Sequence, residues 1–90
     1  MGNVTYYVAM GFERDEEGEL VALDPVESHS SSAAISRARS LAATKAGAIA
    51  FSRTGDPEIG EFADAVVLWK SGEVPADAPE LRNQIAPRAS

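Results

Sequence analysis

The segment Asp56-Pro57-Glu58-Ile59-Gly60 constrains this chain more than any other, because it sets a turn and, through the turn, a strand register. Pro57 holds φ at about −65° and suits the first corner of a type I turn. The Asp56 carboxylate is placed to accept from amides two or three residues on, as in an Asx-turn. Gly60 supplies a positive φ that closes the loop with a bulge. Apolar runs lie on both sides, "AIAF" at 48–51 and "AVVLW" at 65–69, so the unit reads as a β-hairpin. Pairing Asp56 with Glu61 carries the register outwards. Arg53 then faces Asp64, Phe51 faces Val66, Ile49 faces Leu68 and Ala48 faces Trp69. One sheet face receives Ile49, Phe51, Val66 and Leu68, and the other receives Ala48, Ala50, Val67 and Trp69. Arg53 and Asp64 are expected as a cross-strand ion pair of ~0.2–1 kcal/mol. A phosphate loop is the competing reading. The stretch matches neither GxxxxGK[ST] nor GxGxxG, and Asp56, Glu58 and Glu61 would repel phosphate.

The rest of the chain has the same punctuation. Residues 4–12 alternate Val4, Tyr6, Val8, Met10 and Phe12 on one face, a strand pattern. Asp15-Glu16-Glu17-Gly18 suits a type I turn closed by glycine, and "ELVAL" follows as a second strand until Pro25 withdraws a ladder donor. Residues 28–47 read as a helix capped by Ser30, Ser31 or Ser32, with Gly47 as a left-handed C′ residue and Lys45 near the negative end of the dipole. Ile35, Ala38, Leu41 and Ala42 form a narrow apolar stripe, while Ser36, Arg37, Ser40 and Thr44 face away. An alanine-rich stripe implies close approach to what it covers. The order β-β-α-β-β predicts a two-layer α+β fold, an antiparallel four-stranded sheet with one helix on one face. Residues 1–75 make the single domain. Residues 76–90, with Pro79 and Pro87 and little periodicity, make a flexible tail with at most a helical turn near Leu81.

Composition narrows the function classes. The chain has 90 residues and no cysteine, so disulfides, thiolate nucleophiles and cysteine zinc sites are excluded. A net charge of −6, scattered basic residues and the acidic run Glu13–Glu19 argue against nucleic acid. No run approaches the roughly 18 apolar residues of a membrane span, and the N-terminus has no signal-peptide pattern. Met-Gly opens the chain, but Tyr6 stands where a myristoylation motif carries Ser or Thr. A soluble cytoplasmic protein is expected.

Catalytic chemistry finds little support. His29 is the one histidine, and its serine neighbours in a loop do not converge on it with a third, orienting group. Asp24, Glu27 and His29 lack a recognised metal-ligand spacing. Glu58 and Glu61 sit on a turn with nothing apolar to shift them. The expectation is a non-enzymatic protein with no cofactor and no metal. More weight falls on the sheet. One helix covers one face, yet Val67 and Trp69 fall opposite Val66 and Leu68, and Tyr7 falls opposite Tyr6 and Val8. Tyr7, Ala50, Val67 and Trp69 are therefore expected to line an uncovered apolar face, an interface for a homodimer or another protein. The tail, through Leu81 or Ile85, is the other candidate to cover it.

The aromatic opening strand, the helix end "TKAG", "AFSRTGDPEIGE" and the closing "GEVP" together resemble a group of short bacterial proteins of unassigned function, over about residues 5–75. That resemblance implies no activity. "YYVA", an acidic turn with glycine, "ELVALDPVE" and a helix after serine resemble HicB-type antitoxins, without their Pro-x-x-Pro-Gly-Cys segment. This second resemblance implies, as the alternative, a small regulatory protein that binds and blocks a partner.

Overall fold

A computed structural model of the protein describes residues 2–75, and the tail expected over 76–90 lies outside them. Strand β1 (Val4–Arg14) pairs along one edge with β2 (Leu20–Ala22) and then β3 (Val26–Ser28). After helix α1 (Ser31–Thr44), strand β4 (Gly47–Asp56) lies antiparallel to β1, from Phe12↔Gly47 to Val4↔Gly55. Strands β5 (Glu61–Phe62) and β6 (Val66–Gly72) share the far edge of β4. The fold is α+β, an antiparallel sheet with one helix. Its sheet has six strands, in the order β-β-β-α-β-β-β, where four in the order β-β-α-β-β are expected.

The difference comes from interruptions in both outer strands. Between the pairs Phe12↔Ala22 and Ala9↔Val26 the outer strand carries one residue more than β1, in the stretch that holds Pro25. Proline has no N–H for the ladder, so the strand breaks and resumes. On the other edge, one extra residue enters between Gly55↔Phe62 and Ser52↔Val66, and Leu68 is a second at the bulge opposite Ala50 and Phe51. Bulges bend a strand and increase its twist. The sheet accordingly curls into a half-barrel.

Both hairpin tips follow the turn chemistry of their residues. Asp15 Oδ1 accepts from the amides of Glu17 and Glu19, each at 2.9 Å, and Gly18 has φ +84°. Asp56 Oδ1 accepts from Glu58 N at 2.9 Å, Gly60 N donates to Asp56 O at 2.9 Å, and Gly60 has φ +73°. Asp56 pairs with Glu61, as the loop predicts.

Helix α1 begins at Ser30, whose Oγ accepts from Ala33 N at 3.1 Å. Ser30→Ala is expected to cost about 1 kcal/mol in urea unfolding, the usual loss for a serine N-cap, against little change for the exposed Ser31→Ala. The helix ends at Lys45 in an extended conformation, and Gly47 does not take the left-handed C′ role. Gly47 opens β4 opposite Gly72 instead, where a Cβ would run into the Glu73 backbone.

The sheet buries both faces. Ala34 and Ala38 of the helix form one cluster with Ala9, Ala48 and Ala50 of the sheet, all fully buried, with Ile35, Leu41 and Ala42 beside them. The helix thus lies on the alanine face. A narrow stripe of small side chains fits a sheet face of small side chains at close range. The bulky residues Val8, Met10, Phe12, Ile49 and Phe51 form a second cluster on the opposite face, none more than 4% exposed. Tyr6, Leu20, Ala22, Ala65 and Val74 pack against it.

Candidate interaction surface

The expected interface of Tyr7, Ala50, Val67 and Trp69 is corrected by the position of the helix. Ala50 is fully buried under α1, and Tyr7 and Trp69 pack against the same alanine cluster. These three lie on the covered face, so they cannot line an open one. The bulge explains the rest. With Leu68 as an extra residue, Leu68 and Trp69 both reach the helix side, whereas Val67 stands opposite Phe51 on the other face.

Exposed apolar surface is found at the sheet edge instead of a sheet face. Val66 is 59% and Val67 44% exposed, and cross-strand pairing with Ser52 and Phe51 sets them on opposite faces of the same edge. No described strand pairs with the outer edge of β6. Above this strand, the Arg39 guanidinium carbon of α1 lies 6.0 Å from the Trp69 ring centroid. Val66 does not stand out in the sequence, where regular alternation from the 56–60 turn sets it in the covered core. The slips that expose it follow from loop geometry over 63–65, which carries no composition signal.

Arg53 is the polar residue that the sequence places wrongly. Two-residue alternation puts it in line with Ile49 and Phe51, and it is only 6% exposed. The expected ion pair with Asp64 does not form, because the outer chain leaves the sheet after Ala63, whose N–H still donates to Thr54 O, and Asp64 is exposed. Arg53 Nη2 donates to Ala63 O at 3.1 Å, and the guanidinium carbon lies 5.9 Å from the Phe62 ring centroid. Nε is fully buried and makes no hydrogen bond. An unsatisfied buried donor costs ~1–3 kcal/mol, and more when it belongs to a charged group.

The other candidates stay apart. His29 is exposed between β3 and α1, and Glu58 and Glu61 are exposed at the hairpin tip. Among the described residues, no three histidine or acidic side chains gather as a metal site, and no helix is long and apolar enough to cross a membrane. An open cleft of about 370 Å³ lies beside the 56–60 turn, bounded by Asn3, Thr54, Asp56 and Ile59 among others. Two of its polar groups already have uses: Asp56 caps the turn, and the Thr54 hydroxyl lies 2.9 Å from that of Thr5. Compared with known protein families, curated proteins and solved structures, the chain matches none of them.

Proposed function

We propose that this is a small non-enzymatic module that acts through protein contact, and that it self-associates by pairing the β6 edge of one copy with that of another. One observation carries the reading: β6 offers an outer edge that no described strand occupies, flanked on both faces by the exposed side chains of Val66 and Val67. An open edge presents unpaired N–H and C=O groups, a template for another strand. Antiparallel pairing about a two-fold axis is isologous, so one edge serves both copies and the assembly stops at a dimer. The Leu68 bulge and Lys70 on the same strand are devices that restrain indiscriminate edge pairing, so one register is favoured over open-ended stacking.

Val67→Lys tests this better than a change at Trp69, which also packs on the helix side. Light scattering of the native chain should give a dimer mass at high concentration. Val67→Lys should give a monomer mass with an unchanged circular dichroism spectrum. A native chain that stays monomeric throughout the concentration range sinks the reading.

A further inference from the structure

We propose that the β6 edge also receives an acidic, extended segment of another protein, and that this segment displaces the second copy. The inference rests on the reading of β6 as a pairing edge and adds the chemistry of the partner. Its basis is a segregation of charge. The chain holds 14 acidic residues against 8 basic ones, yet no acid falls within 28–55 or 65–72. Those two stretches build α1, β4 as far as Gly55, and β6, and the helix packs over both strands. Asp64 bounds the zone just before β6, and Glu73, just past its end, is already paired with Arg14.

The cations left over lie in the same zone. Among the described residues, Arg14 and Lys45 pair with Glu73 and Glu13, and Arg53 is buried. Arg37, Arg39 and Lys70 remain exposed, with no described acid paired to them. Two of these flank the open edge. Arg39 lies over Trp69 on the helix side, and Lys70, opposite Ile49, stands on the other face. A second β6 brings these cations towards their own copies, whereas a strand that carries carboxylates brings opposite charge. Opposite charges across a strand pair stabilise it and like charges oppose it. Backbone N–H and C=O groups of the edge hold any added strand, and the flanking cations select an acidic one. Val66 and Val67 suit apolar residues that alternate with those acids.

The test titrates the native chain into a dye-labelled peptide of alternating valine and glutamate and follows its fluorescence anisotropy. A second peptide carries lysine in place of glutamate. Saturable binding of the glutamate peptide is expected, roughly tenfold or more tighter than that of the lysine peptide. It should weaken as salt rises. Light scattering should show the dimer mass falling to that of one chain with bound peptide. Arg39→Glu combined with Lys70→Glu, both at exposed positions, should reverse the preference. Equal binding of the two peptides, or none, overturns the proposal. So does unchanged binding of a glutamate peptide N-methylated along its backbone, since charge alone would then suffice. A dimer that takes the peptide without dissociating overturns the displacement. If the double variant does not fold, the contrast between peptides on the native chain decides. A native chain that is monomeric without peptide yet binds the glutamate peptide sinks self-pairing alone and supports the acidic partner.

Discussion

Phe51→Ala is expected to remove about 3–5 kcal/mol of stability, the usual cost of emptying a fully buried phenylalanine site. A domain of this size holds roughly 5–13 kcal/mol in all, at about 0.05–0.15 kcal/mol per residue, so the variant loses roughly a quarter of its stability or more. The large effect follows from position. Phe51 is fully buried, lies opposite Val8 on β1 and Val67 on β6, and shares its cluster with Met10, Phe12 and Ile49. These side chains come from adjacent strands of one curled sheet, and hydrogen-bonded neighbours on both sides keep them from collapsing into the space. Urea unfolding should show a midpoint far below that of the native chain. The control is Ile59→Ala at the exposed hairpin tip, 65% exposed, where a change within about 0.5 kcal/mol is expected. A Phe51→Ala loss below 1 kcal/mol would mean that the bulky face is not a core.

The local devices of the fold were legible, and their consequences at longer range only partly so. Asp15 with Gly18 and Asp56 with Gly60 announce their turns because each residue has one mechanical role that its neighbours cannot change. Ala38 with Ile35, Leu41 and Ala42 likewise shows which side of the helix packs. Register was lost just beyond the second hairpin. Asp56↔Glu61 holds, but one extra residue within 63–65 and another at Leu68 move every later partner. A bulge leaves no fixed residue signature, so alternation counted outwards from a turn fails at the first one. The choice of helix-covered face was missed for a different reason. The sequence reading leaves Tyr7, Ala50, Val67 and Trp69 uncovered and so sets the helix over Ile49 and Phe51, whereas a helix with a small-residue stripe packs closest on small residues. That reversal removes Tyr7, Ala50 and Trp69 from the candidate surface, whereas Val66 enters it through the register slip over 63–65. Arg53 was legible as a member of the bulky face but was paired with Asp64 across a register that does not exist there.

Ala50→Leu separates these two placements of the helix. In the structure Ala50 is fully buried in the alanine cluster that includes Ala34 and Ala38 of α1, so three added carbons must push the helix off the sheet or force strained rotamers. Overpacking of this kind costs typically about 1–3 kcal/mol. Because the helix would have to lift along its length, a value at the upper end is expected. Trp69 packs against the same cluster with Arg39 over its ring, so its fluorescence should shift to the red as the helix loosens. Ala43→Leu, on the exposed side of the same helix, should change stability by less than about 0.5 kcal/mol. If the helix instead covered Ile49 and Phe51, Ala50 would stand on an open face, and a leucine there would cost almost nothing. The sign and size of this one change therefore show which face α1 occupies.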